Sequence, residues 1–170
     1  MAASNNINLA ALRLRPGEGR RVGLGLDPGR LEYGGQSYQA WPARDARVDV
    51  SRMASGHALR LRFETELAGP CMRCLAVARI PVSVEAREVA QPGAGPELES
   101  PYVKADEVLV EKWAHDALAL ALPAQLVCRA DCAGLCPVCG LSLNDAEPGA
   151  HDHEPEPDPR WDQLRGLKLE

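Results

Sequence analysis

Between His57 and Leu67 the sequence alternates strictly: Leu59, Leu61, Phe63, Thr65 and Leu67 are separated by Arg60, Arg62, Glu64 and Glu66. Successive side chains on a strand point to opposite faces, so this pattern predicts a strand with one apolar and one charged face. A second run places Ile80, Val82, Val84 and Ala86 on one side and Ser83, Glu85 and Arg87 on the other. The connection passes through Gly69-Pro70 and Cys71-Met72-Arg73-Cys74. So short a link predicts an antiparallel pair with Cys71 and Cys74 at or near its tip.

An apolar sheet face needs a covering layer, and one helix is available to supply it. Asp106 is placed as an N-cap for a helix over 106–122, with Val110, Trp113, Ala114, Ala117, Leu118 and Ala121 on one face and Pro123 as its stop. His115 falls beside that stripe as an ordinary partly exposed histidine. Shorter strands are expected at Arg20–Leu26, Leu31–Tyr33 and Val48–Ser51, punctuated by Pro-Gly and Gly-Gly turns. The glycines of Gly23-Leu24-Gly25 and Asp27-Pro28-Gly29 lack the lysine and the strand-loop-helix setting of a phosphate loop, and read as turn punctuation. Residues 91–101, with three prolines and two glycines, form a connection. The expected class is therefore α+β: residues 1–123 as an antiparallel sheet with one main helix, and residues 124–170 as a Cys-rich, zinc-binding segment. That segment continues into an acidic tail and a short amphipathic helix around Trp161, Leu164 and Leu167.

Six cysteines occupy positions 71, 74, 128, 132, 136 and 139. Two thiolates separated by two residues on a tight turn can share one tetrahedral ion, so Cys71/Cys74 and Cys136/Cys139 both have metal-knuckle spacing. Gly140, directly after the second pair, lets the backbone fold back behind the thiolate. The residues before the first apolar stretch carry no charge, unlike a secretory signal, so a reducing cytoplasmic setting is expected and disulfides are disfavoured. A redox pair calls for a βαβ setting and a catalytic zinc for an arranged base; neither is visible. Three ligand groupings remain open: Cys128, Cys132, Cys136 and Cys139 together; Cys136 and Cys139 with Cys71 and Cys74; or a set that uses His151 and His153. The two histidines, at i and i+2 on an extended chain, supply up to two nitrogen ligands or form a solvated pair in an acidic tail.

Charge is unevenly spread. Residues 1–62 contain ten Arg and five acidic residues, whereas residues 63–170 contain nine basic and nineteen acidic ones. Phosphate contacts need clustered positive charge, so any nucleic-acid binding is expected from the front half, with Arg13, Arg15, Arg20 and Arg21 as candidates. Aromatic residues make up only 4% of the chain, leaving few platforms for base stacking and favouring electrostatic contact. No run approaches the length of a membrane span, and no membrane or small-molecule substrate is expected.

Taken in order, Cys71-Met72-Arg73-Cys74-Leu75, Leu120-Ala121-Leu122-Pro123, the block from Cys128 through Gly134-Leu135-Cys136-Pro137 to Cys139-Gly140, Leu143-Asn144 and Asp158-Pro159-Arg160 resemble the bacterial YceD family of large ribosomal RNA subunit accumulation proteins. The likeness covers roughly the second hundred residues; the first 55 add little. It implies a non-enzymatic cytoplasmic factor for accumulation or processing of large-subunit (23S-type) ribosomal RNA. Where the family pattern often carries a further Cys-x-Cys, this chain has His151-Asp152-His153. Two kinds of partner follow: ribosomal RNA or a pre-ribosomal particle, bound through the basic front half, or a basic ribosomal protein or RNA-processing enzyme, bound by a zinc-stabilised adaptor through the acidic back half.

Overall fold

The computed structural model describes residues 5–147, 149–153 and 160. Its elements in chain order are β1 (Ile7–Asn8), a 3-10 turn (Ala10–Leu12), β2 (Gly19–Leu26), β3 (Arg30–Tyr33), β4 (Gln36–Ala40), β5 (Ala43–Arg52), β6 (His57–Pro70), β7 (Val77–Ala90), β8 (Val103–Lys104), β9 (Glu107–Val108) and α1 (Val110–Leu120). The fold is thus mostly antiparallel β-sheet with one α-helix among the described residues.

The alternating run becomes β6, the strand around which the large sheet is organised. One edge of β6 pairs with β7 along its whole length, from His57 opposite Ala90 to Pro70 opposite Val77. Its other edge is shared. β5 occupies the first half, from Arg52 opposite His57 to Arg47 opposite Arg62, and β4 joins near the far end, with Ala40 opposite Leu67. β2 extends the sheet beyond β5, and β3 extends it beyond β4.

The period-two pattern sets what is buried. Val48 and Val50 of β5, Leu59, Leu61, Phe63 and Leu67 of β6, and Val82 and Val84 of β7 form one core with Val110, Trp113, Ala114, Ala117 and Leu118 of α1. The helical stripe is therefore buried against the sheet as its spacing requires, except that Ala121 is only partly buried and acts as the C-cap. Removing these side chains from water, at about 25 cal/mol per Å² of apolar surface, is the main force holding helix to sheet.

The helix begins four residues later than the sequence pattern places it. Ala105 and Asp106 adopt left-handed φ angles of 47° and 62°, forming the two-residue turn of the β8–β9 hairpin. β9 then pairs with β1, Ile7 opposite Val108, and the Leu9 N–H donates to the Asp106 carbonyl at 2.7 Å. Asp106 is a turn residue, and Leu109 is the N-cap, with no side-chain cap bond. A pairing partner a hundred residues away outweighs the local helical pattern. The proposed terminal helix around Trp161, Leu164 and Leu167 lies outside the described residues.

Candidate metal centres and an arginine-rich sheet face

At the β6–β7 tip, chain reversal is achieved by a compact turn. The Leu75 N–H donates to the Cys71 carbonyl at 2.9 Å and the Cys71 N–H to the Ala76 carbonyl at 2.7 Å. Leu75 must take φ 61°, a left-handed angle costly for a residue with a Cβ. The Arg73 N–H points at the Cys71 sulfur at 3.5 Å. The arrangement holds Cys71 and Cys74 on the same side of the turn.

The segment after α1 brings the other two ligands to this tip. The Met72 N–H donates to the Leu126 carbonyl at 2.8 Å, and the Arg73 guanidinium donates to the Cys132 carbonyl at 2.9 Å. Gly134 fits here for two reasons: its φ is 84°, and an added Cβ would lie 3.2 Å from the Arg73 carbonyl oxygen. Asn144 braces the loop by accepting from the Ala133 N–H at 2.9 Å and from Arg129 at 3.1 Å. Cys71, Cys74, Ala78, Leu126 and Cys132 form a small buried cluster of their own, with Tyr38, Ile80 and Leu135 packed on it.

Cys71, Cys74, Cys128 and Cys132 offer four sulfur atoms all within 4.8 Å of one another. Cys71 and Cys132 sulfurs are 3.9 Å apart, and those of Cys74 and Cys128 3.6 Å. Sulfurs bound to one tetrahedral zinc at about 2.3 Å stand about 3.8 Å apart, so the set fits such an ion. All six cysteines are free. The thiols also differ in acidity. Burial pushes the Cys71 thiol up, but backbone N–H groups of Cys74, Arg73 and Cys128 outweigh it and bring its pKa down to about 6. Cys128 is pushed up to about 12 by burial and by its thiol neighbours Cys74, Cys132 and Cys71. Successive thiolates in one buried site repel, and a divalent cation is the natural complement.

A second group follows directly. Cys136, Cys139, His151 and His153 also bring one donor atom each within 4.8 Å of the others. Backbone N–H of Cys139 lowers the Cys136 thiol most, against burial and with help from Val138. The structure thus brings all eight sequence-selected ligand residues into clusters, but in neither of the two all-cysteine groupings the spacing allowed. Cys128 and Cys132 join Cys71 and Cys74, and the histidines join Cys136 and Cys139.

The four candidate arginines do not form one patch. Arg20 and Arg21 are neighbours on β2 and so face opposite sides of the sheet. Arg13 closes the 3-10 turn at φ 49°, and Arg15 is exposed in the following loop, where its N–H donates to the Glu18 carboxylate. Arg21 instead shares the outer sheet face with Arg47, Arg60, Arg62 and Arg87, in rows set by Arg21–Asp49, Asp49–Arg60, Arg60–Arg87 and Arg47–Arg62 pairing. Asp49 lies 2.6 Å from both Arg21 and Arg62, and Glu85 lies 2.6 Å from Arg60 and 3.0 Å from Arg87. These guanidiniums hold both carboxyls below their ordinary range, with Arg21 the largest influence on Asp49 and Arg60 on Glu85. Arg47 makes no ion pair among the described residues. Beside this face, β5 parts from β6 after the Arg47–Arg62 pair, leaving a groove of about 840 Å³ whose charged lining is Arg44, Arg47 and Arg62 against Asp45, Glu64, Glu66 and Glu85. The alternation of β6 had already put Arg60 and Arg62 on one face; what it lacked was the register that adds Arg21, Arg47 and Arg87.

These features define a mostly antiparallel β protein with two candidate metal centres and an arginine-rich outer face. The chain belongs to the YceD family: the model described as "Large ribosomal RNA subunit accumulation protein YceD" matches residues 59–168. It is also similar to uncharacterized proteins of Mycobacterium tuberculosis and Mycobacterium bovis, at 36% identity over 126 residues, covering 71% of this chain. The chain spans 59% of the length of those relatives. No solved structure matches it. No helix among the described residues is long and apolar enough to cross a membrane.

Proposed function

We propose that this protein is a non-enzymatic cytoplasmic factor that supports accumulation or processing of large-subunit (23S-type) ribosomal RNA by contacting the RNA backbone through the outer face of its sheet. The family description supplies the biological setting. The observation that carries the contact is the arginine face: Arg21, Arg47, Arg60, Arg62 and Arg87 gather around Asp49 and Glu85, while Glu64 and Glu66 follow further along β6 on the same face. Guanidinium groups suit phosphate oxygens, and a chain with few aromatic residues is suited to backbone contact more than to base stacking. Zinc held by Cys71, Cys74, Cys128 and Cys132 acts in this reading as a staple for the loop after α1, which has little core of its own.

The test is binding to a large-subunit rRNA fragment as salt is varied, comparing the wild type, an Arg47→Ala/Arg62→Ala variant and a variant neutralised at Arg13, Arg15 and Arg20. The expected result is loss of affinity and a shallower salt dependence in the sheet-face variant, by about one unit of slope per phosphate contact removed. Absence of low-salt binding by the wild type overturns the reading. The acidic excess of residues 63–170 favours a second reading, an adaptor for a basic ribosomal protein or processing enzyme. That one predicts association that survives ribonuclease treatment.

A further inference from the structure

We propose that Cys136, Cys139, His151 and His153 form a second, independent zinc site whose ion exchanges readily and clasps residues 149–153 onto the turn that carries the two cysteines. The inference deepens the metal reading above, which provides its reference turn.

Three observations carry it. The four donor atoms lie within 4.8 Å of one another, and Cys139 Sγ is 3.3 Å from His151 Nδ1. Thiolate and imidazole ligands of one tetrahedral zinc stand about 3.5 Å apart, given bond lengths of about 2.3 and 2.0 Å. Second, the Cys136 turn repeats the bonding of the Cys71 turn position by position. The Gly140 N–H donates to the Cys136 carbonyl at 2.9 Å, as Leu75 does to Cys71, and the Cys136 N–H donates to the Leu141 carbonyl at 2.8 Å, as Cys71 does to Ala76. The residue after the second cysteine is left-handed in both turns, Leu75 at 61° and Gly140 at 71°. The same knuckle is therefore built twice.

Third, little else holds the histidines in place. The backbone hydrogen bonds of residues 149–153 are local, Ala150 to Glu147, Asp152 to Gly149 and His153 to His151, and the Cys139–His151 contact is their long-range tie among the described residues.

The donor chemistry selects the ion. Two thiolates and two imidazoles suit zinc and other borderline or soft metals, and exclude calcium and magnesium, which take oxygen ligands. The two sites differ in access. Cys71, Cys74 and Cys132 are buried, whereas Cys139 and His153 are exposed, so a chelator reaches the second ion directly. Exchange at the second site is expected to be at least about tenfold faster than at the first, given the control that the surrounding shell exerts on a metal.

The full-length reduced protein, loaded with zinc and freed of excess, is measured for bound metal, for release to a colorimetric chelator and, after cobalt substitution, for its visible spectrum. Two equivalents leaving in two phases are expected. A His151→Ala/His153→Ala variant should hold one equivalent, lose the fast phase and keep the sulfur-rich cobalt spectrum, with the thermal transition of the sheet unchanged. One equivalent in the wild type that survives this double substitution but vanishes in Cys132→Ser overturns the second site alone. Zinc that is lost in the histidine variant yet unaffected by Cys132→Ser leaves the second site standing and removes the first.

Discussion

The sulfur atoms of Cys71 and Cys132 meet at 3.9 Å although 61 positions separate them in the chain. One belongs to the tip of the central hairpin and the other to the loop after the helix, and both lie in the small buried cluster that ties that loop to the hairpin. Replacing Cys132 by Ser should remove one equivalent of bound zinc and expose the loop around Arg129 to trypsin, with a stability loss of about 4 kcal/mol if the metal is lost outright. Metal analysis and timed proteolysis read both effects.

Gly56 precedes β6 where the backbone of β7 ends, and an added Cβ would lie 2.1 Å from the Ala90 carbonyl oxygen. No side-chain rotation relieves a clash with backbone. Gly56→Ala should lower stability by about 1–3 kcal/mol, whereas Gly23→Ala, with nothing within 4 Å of the new methyl, should stay within about 0.5 kcal/mol of the wild type. Paired urea titrations decide the contrast.

His57, buried at the start of β6, has its pKa lowered from 6.5, first by burial and then by Arg52, against a smaller opposing effect of Asp106. The unfolded chain therefore binds its proton at higher pH than the folded one. The stability this group contributes is fully present above about pH 6.5 and is lost as pH falls from there through the lower folded value. His57→Gln should flatten the dependence of the urea midpoint in that window, while leaving the deeper acid loss from Asp49 and Glu85 in place.

Asp49 sits between Arg21 and Arg62, 2.6 Å from each. Asp49→Asn would release both guanidiniums. If the outer face contacts RNA, this substitution should tighten low-salt RNA binding and steepen its salt dependence, the opposite of the arginine substitutions, at a stability cost of about 1 kcal/mol or less. Unchanged or weaker binding by a folded Asp49→Asn protein counts against the sheet face as the contact surface.

Period-two and period-three-to-four patterns were legible because they are local. Leu59 through Leu67 announced β6, Trp113 through Leu118 announced the buried side of α1, and the cysteine spacing announced both knuckles. What was not legible depends on partners distant in the chain. Ile7 captures Val108 and turns the expected first helical residues into a hairpin, and no pattern near Asp106 reports that. Gln36–Ala40 became β4 on the strength of its pairing with β3 and β6. The sorting of cysteines likewise follows from where β6 and β7 deliver their tip, since Cys132 is only four positions from Cys136 in the chain, yet it and Cys128 lie against Cys71 and Cys74.

The distance along the chain between those paired cysteines also sets an order of events during synthesis. The hairpin that carries Cys71 and Cys74 is complete once Ala90 has emerged, but Cys128, 54 positions beyond Cys74, is still to be made. A nascent chain on the ribosome thus presents an open pair of thiols, able to take up an ion with two vacant positions or to be oxidised, before its own remaining ligands arrive. An ion captured early would wait for the loop after the helix, whose long closure completes the first ligand set.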